Sequence, residues 1–345
     1  MKTLIPLILR HLEANEPVVL ATVLEREGSA PRGAGACMLV EQDGRTQGTV
    51  GGGSVEHLVT ERALDCIRDK ASAVCGYQLA PNDAADIGMV CGGKISVCCW
   101  YLTANELALF HRMNSTLSGN TSVWLARSIS STCGVLDAKL CYADESLAPH
   151  SFGAEEQRSL CRRRPAKGEG DPYLFVEPIK LAGRVYVFGG GHIAQKLVPL
   201  LNQLDFVPIV LDDREAFANS ALFPDAERVI LCDFADIGRE IAIGKEDFLI
   251  IMTRGHRNDH TLLVQALRTD AAYIGLIGSQ SKIAHTKGLL LEEGFTNKDF
   301  ARVHTPIGLP IRAETPAEIA VSIAAQMILH RAKLADTPSN PQSAV

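Results

Sequence analysis

Two stretches of this chain place three glycines where an apolar run gives way to a helical pattern: TVGGGSVEHL (49–58) and VFGGGHIAQKL (187–197). A glycine triplet there fixes a strand–turn–helix unit. It strips side chains from the turn, so that main-chain amides at the helix start can approach an anion. Around the second triplet the pattern is clear. RVYVF (184–188) is a continuous apolar run, as expected of a parallel strand covered on both faces. VPIVL (207–211), RVILC (228–232), DFLIIMT (247–253) and YIGLIG (273–278) follow, separated by segments read as helical. This alternation predicts a doubly wound, Rossmann-like parallel sheet in an α/β protein. The first helix carries Ile193, Ala194, Leu197, Val198, Leu201 and Leu204 on one side. Pro199 inside it predicts a kink, at about 3 kcal/mol. In ETPAEIAVSI, Thr315 caps the last helix, Pro316 takes its first position and Glu318 completes a capping box.

Gly189, Gly191 and Ala194 fit G-x-G-x-x-G/A, with Asp212 and Asp213 closing the next strand, where an acidic residue holds a ribose diol. All carboxyl ends of a parallel sheet share one edge. That edge collects His192, Arg214, Thr253, Arg254, His256, Gly278, Ser279 and Lys282, a set suited to a phosphate-bearing anion. Glycine turns of this kind also serve as plain connections; the agreement of several strand ends favours a ligand. His256 and His260 have i, i+4 spacing, but no further ligand motif accompanies them, so no metal site is expected. Asp259 reads as a helix cap.

The first half is not a second Rossmann unit. PVVLATVLE (17–25) reads as a strand, a Gly/Pro turn bearing Arg32 precedes another, and Asp43-Gly44 is a hairpin turn. Gly51, Gly52 and Gly53 then lead a helix with Val55, Leu58, Val59, Leu64 and Ile67 as its apolar set, Ser54 as cap and Glu56 in its first turn. A third turn, Cys91-Gly92-Gly93, precedes the strand that begins with Lys94. Cys91 is a candidate nucleophile or sulfur acceptor, against the plainer reading of a small buried residue. This half is expected to be a smaller α/β domain with a mixed sheet. The basic, Pro- and Gly-containing segment LCRRRPAKGEGDP marks the boundary. The expected division is 1–160, a linker and entry strand over 161–182, a Rossmann-like domain over 183–335 and a tail over 336–345.

Composition narrows the partners. With 345 residues, 46% hydrophobic and 21% charged, the chain can bury two cores. A net charge of -6 argues against nucleic acid or an anionic membrane surface. MKTLIPLILRHLEAN reads as a first helix and not a signal peptide, because Arg10 and His11 end a short apolar stretch. No run approaches ~18 apolar residues, so no membrane span is expected. The ten cysteines form no Cys-x-x-Cys pair, and reduced thiols in the cytoplasm are expected.

GSAPRGAGACMLV, TVGGGSVE and GMVCGGK resemble the N-terminal domain of the xanthine dehydrogenase accessory protein family (XdhC/CoxI). FGGGHIAQ, DDR, TRGHRNDH, YIGLIGSQSK, HTPIGLPI and ETPAEIAVSI resemble its C-terminal Rossmann domain. The resemblance implies a protein that binds molybdenum cofactor, protects it, supports its sulfuration and passes it to a molybdenum hydroxylase such as xanthine dehydrogenase. It further implies a cysteine desulfurase as partner and a homodimer, and a cofactor lying between the two halves would suit the residues. The first-half glycine loops would then face the metal and pterin, and the second-half edge would hold phosphate or a nucleotide such as NAD. Ser54 departs from the family pattern, where Cys follows the glycine pair. Serine cannot carry a persulfide, which leaves Cys91 as the thiol candidate. No catalytic set is visible, so a chaperone without turnover leads. An NAD(P)-dependent oxidoreductase is the alternative, and an interaction scaffold the third reading.

Overall fold

In the computed structural model the described residues are 1–28, 32–79, 93–117, 121–142, 161, 164–180, 183–254 and 256–336. The chain divides into two compact units, with the change between Leu181 and Ala182.

The first unit opens with α1 (Ile5–Glu13), whose Ile5, Ile8, Leu9 and Leu12 are buried. A five-stranded sheet follows, in the order β3-β2-β1-β5-β4. Its strands are β1 (Val18–Gly28), β2 (Cys37–Val40), β3 (Thr46–Gly48), β4 (Ala73–Leu79) and β5 (Gly93–Leu102). The hairpin expected at Asp43-Gly44 joins β2 to β3, with Gly44 at φ 82. Helix α2 (Gly53–Asp69) buries Val55, Val59, Ala63 and Cys66 against one face, where Val19, Ala21, Val97 and Cys99 point. The other face carries Leu20, Leu24, Cys98 and Trp100. It joins a core with Leu125, Ile129, Phe175 and Ile179 of a second, four-stranded sheet.

That second sheet, β7-β6-β9-β8, is built from β6 (Val123–Ser130), β7 (Gly134–Tyr142), β8 (Ala166–Lys167) and β9 (Tyr173–Lys180). Helix α3 (Leu107–Thr116) adds Phe110 and Met113 to the shared core. The α/β character of this half is as expected; its sheets are antiparallel where a mixed pattern was expected. The segment expected as linker and entry strand carries β8 and β9, which complete this sheet.

Inside the sandwich lies a buried ion pair. Arg127, fully buried, donates from Nη2 to Glu177 Oε1 at 2.5 Å and from Nη1 to Thr22 Oγ1 at 3.1 Å. The rings of Phe175 and Trp100 flank its guanidinium, with centroids at 5.2 and 5.7 Å. Burial pushes the Glu177 carboxyl above its ordinary range, and Arg127 opposes that shift.

The second unit is a six-stranded parallel sheet, β12-β11-β10-β13-β14-β15. Its strands are β10 (Val185–Phe188), β11 (Pro208–Asp212), β12 (Arg228–Leu231), β13 (Phe248–Ile251), β14 (Tyr273–Leu276) and β15 (Val303–His304). Counted within the unit the order is 3-2-1-4-5-6, the Rossmann order, which places the switch point between β10 and β13. Helices α4 (His192–Gln203), α5 (His256–Leu267), α6 (Gln280–Glu292), α7 (Asn297–Phe300) and α8 (Pro316–Asp336) complete it. Helical segments were expected at every crossover. Those from β11 to β12 and from β12 to β13 hold only the short turns Ser220–Leu222 and Ile237–Arg239. Helix α4 continues through Pro199 to Gln203. The capping box of α8 is present: Thr315 Oγ1 accepts from Glu318 N at 3.3 Å, and Glu318 Oε2 accepts from Thr315 N at 3.0 Å.

Candidate functional site

In the first unit, the end of β1, the start of β5 and the glycine triplet after β3 lie toward one end of the five-stranded sheet. Gly28 and Gly93 are cross-strand partners, so the end of β1 and the start of β5 lie side by side. Cys91 and Gly92 lie outside the described residues. β3 ends beside the start of β2, with Thr49 N donating to Cys37 O at 3.0 Å, and the glycine triplet follows at once. Gly51, Gly52 and Gly53 take φ values of 152, 78 and 58, a run of positive angles that side-chain-bearing residues rarely adopt.

Two of that turn's amides are occupied from within. Thr49 Oγ1 accepts from Gly51 N at 3.2 Å, and Glu56 Oε1 accepts from Gly52 N at 3.0 Å and from the Thr49 hydroxyl. Glu56 therefore shapes the turn. Ser54, expected as a cap, sits inside α2; the capping position is Gly52, and no side chain closes the helix start. The amides past Gly52 have no side-chain cap, and the Glu56 carboxylate stands at the same turn, bonded to Gly52 N. Arg32 is exposed at this end, and Lys94 is 4.0 Å from Glu27.

A cleft of about 320 Å³ lies at the same end, lined by Arg26, Glu27, Tyr77, Gln78, Lys94 and Ser96 among others. Only Lys94 of these was visible beforehand; the rest are strand residues without a motif. Cys37 and Cys98, further along the same sheet, are poor nucleophiles: burial pushes their thiols up to about 12.

In the second unit, the glycines divide their work. Gly189, at φ 106, passes so close to Met252 that a Cβ would meet the Met252 carbonyl oxygen. Gly191 has nothing within 4 Å of its Cβ position; it precedes α4 and offers no side-chain cap. Ala194 is fully buried against the sheet. The tight turn at Gly189 and the close helix contact at Ala194 are present, and Gly191 has an open face. His192 is exposed at the helix start.

Asp212 differs from its expected part. It is 1% exposed, and its carboxylate accepts from Gly190 N at 2.8 Å, Arg214 N at 3.0 Å, Arg214 Nε at 2.9 Å and Arg214 Nη2 at 3.0 Å. Four donors fill its lone pairs, leaving none for a ribose diol. Burial alone would raise this carboxyl; the Arg214 fork and the Gly190 amide outweigh it and hold it below its ordinary value. Arg214 also lies over the Phe217 ring, 3.8 Å from the centroid. Asp213 remains 39% exposed and accepts from Asn258 Nδ2 at 3.0 Å.

Thr253, Asp259 and Lys282 form a network across two strand ends. Asp259 is fully buried. Its Oδ1 accepts from Thr253 N at 3.1 Å and Thr253 Oγ1 at 2.6 Å, while Lys282 Nζ donates to Oδ2 at 2.5 Å. Asp259 thus ties α5 to the end of β13 and to α6, where a plain helix cap was expected. Lys282 is committed to that carboxylate, and its stem covers Gly278. Ser279 caps α6 by accepting from Lys282 N at 3.4 Å. Arg254 is exposed at the crevice, and the His256 side chain lies outside the described residues. His260 faces Glu293 at 3.2 Å. Among the described residues no three His, Cys, Asp or Glu side chains gather as a metal site.

These features define a class: an antiparallel α/β unit followed by a Rossmann unit, each with a glycine-led helix start that no side chain caps. The sequence profile of the XdhC Rossmann domain matches residues 185–327, and that of the XdhC and CoxI family matches residues 11–78. A relative from Bacillus subtilis (strain 168), named as a probable xanthine dehydrogenase subunit, is 30% identical over 94% of this chain and 96% of its own length. The molybdenum cofactor insertion chaperone PaoD of Escherichia coli (strain K12) is 23% identical over 94% of this chain and 87% of its own. A crystal structure described as a xanthine dehydrogenase from Bacillus halodurans is 27% identical. It aligns with a TM-score of 0.79, covering 99% of this chain and 97% of that one. The chain belongs to the XdhC/CoxI family. No helix among the described residues is long and apolar enough to cross a membrane.

Proposed function

We propose that this chain is an accessory protein for a xanthine dehydrogenase-type molybdenum hydroxylase, which binds molybdenum cofactor, supports its sulfuration and delivers it to the client. The observation that carries this reading is the nearly full-length likeness to a protein named as a molybdenum cofactor insertion chaperone. The residues present suit such a cargo. The open face of Gly191 and the free start of α4 accept a phosphate oxygen, with Arg254 exposed beside them. The uncapped start of α2, with Arg32 exposed at the same sheet end, offers a second anion-binding surface. Ser54 lacks a thiol, so a sulfur-handling step would fall to Cys91. A cysteine desulfurase as sulfur source, a homodimeric state and a cytoplasmic setting belong to the same proposal.

Equilibrium binding of purified molybdenum cofactor to the folded protein tests it. Saturable binding, weakened by Arg254→Ala, supports the reading; a folded protein without affinity ends it. A second reading, an NAD(P)-dependent oxidoreductase, draws on the 3-2-1-4-5-6 strand order and the glycine fingerprint. Turnover of small carbonyls with NADH separates the two.

A further inference from the structure

Three thiols from three elements meet where α2 lies on the five-stranded sheet: Cys66 in the last turn of α2, Cys75 on β4 and Cys99 on β5. Cys66 and Cys99 are in hydrogen-bond contact, sulfur to sulfur, with the Cys99 thiol donating. That bond holds the Cys66 thiol below its ordinary value against burial, with Arg62 one turn earlier on α2 adding to it. The same bond, with burial, pushes the Cys99 thiol up. One sulfur of the pair is thus the readier thiolate and the other keeps its proton, the arrangement of an attacking thiol beside a resolving one. Cys75 is placed differently. It is half-buried, takes a hydrogen bond from Arg62, and pairs across strands with Val97, whereas Cys99 pairs with Ala73. Cys75 is therefore a diagonal neighbour of Cys99, at about 7–8 Å, against the ~4 Å between Cβ atoms that a disulfide needs.

We propose that Cys66 and Cys99 form a redox-active dithiol, closed to a disulfide by a peroxide and reopened by a small thiol. The Cys66 sulfur attacks one peroxide oxygen and the O–O bond breaks. The thiol proton leaves with the departing oxygen as water, and Cys66 becomes a sulfenic acid. The Cys99 sulfur then attacks Cys66 and the S–O bond breaks. The Cys99 proton leaves with the hydroxyl as a second water. Two thiols are oxidised and one peroxide is reduced to two waters. Two small thiols reopen the bond by exchange and leave as their own disulfide. With Cys66 2% and Cys99 0% exposed, the oxidant is restricted to a molecule near the size of water, such as hydrogen peroxide. Closed, the bond ties the end of α2, the helix that the first glycine turn opens, to β5. The pair acts independently of any cargo at the glycine turns.

Treating the reduced, folded chain with a small excess of hydrogen peroxide, then alkylating, digesting and mapping the peptides by mass spectrometry, tests the assignment. The expected result is a linked pair of peptides carrying Cys66 and Cys99, simultaneous loss of both thiols, and recovery of both with dithiothreitol. Cys99→Ala is expected to leave a sulfenic acid on Cys66 that dimedone traps, and Cys75→Ala to leave the link intact. The parent's peptide map decides even if Cys99→Ala does not fold. A link through Cys75 instead, both thiols still free after treatment, oxidation of Cys66 with Cys99 left free, or a link formed only in denaturant would each overturn the proposal.

Discussion

Gly189 and Gly191 stand two residues apart and do opposite things. Gly189→Ala forces an L side chain to φ 106 and into the Met252 carbonyl. The strain alone costs about 1–3 kcal/mol, and chemical denaturation should show at least that loss. Gly191→Ala meets no atom within 4 Å, so stability should stay within about 0.5 kcal/mol of the parent. Its methyl group projects into the open crevice, and molybdenum cofactor affinity should fall. Arg127 presents the converse case. Arg127→Ala leaves Glu177 buried without its cation and should cost about 3–5 kcal/mol, whereas Arg127→Met with Glu177→Leu should recover most of it. Nothing in VWLARSIS announces this pair, because an Arg within an alternating strand reads as solvent-facing. Only the meeting of β1, β6 and β9 buries it. The saturation of Asp212 was hidden for a related reason: its partner Arg214 lies two residues on and reads as a ligand cation.

At the scale of elements, the parallel strands were legible because a strand covered on both faces reads as an unbroken apolar run, as VYVF and FLII do. The capping box of α8 was equally legible. Thr315→Ala removes the acceptor for Glu318 N and should cost about 1 kcal/mol, a few degrees in melting temperature. The stretch over 161–182 was expected to hold one entry strand within a linker; it carries two, β8 and β9, which complete the first unit's second sheet, and β15 was not expected since it spans only two residues. His304 on β15 is stacked on Tyr273 at 4.6 Å and lies edge-on to His330 of α8 at 5.1 Å. Burial, then His330 and Lys333, hold its imidazole below the ordinary 6.5. The unfolded chain therefore takes up this proton at a higher pH than the folded one. The stabilisation is complete above about pH 6.5 and is lost as pH falls through the depressed folded value. Denaturation curves at stepped pH should show this decline, and His304→Phe, which keeps the ring, should flatten it.

For the whole molecule, the division of labour between units was readable in outline: a Rossmann unit second and a different α/β unit first. In the first unit, what escaped was geometry that arises only from pairing, such as the shared end of the sheet where Gly28 meets Gly93. The central claim is that these bare helix starts serve to hold an anionic molybdenum–pterin cargo. Equilibrium binding of purified molybdenum cofactor to the folded chain, compared with Gly191→Ala and Arg254→Ala, tests it most directly. The account predicts saturable binding that both substitutions weaken while stability is retained. Absence of binding by the folded parent, or affinity unchanged in both variants, would contradict it.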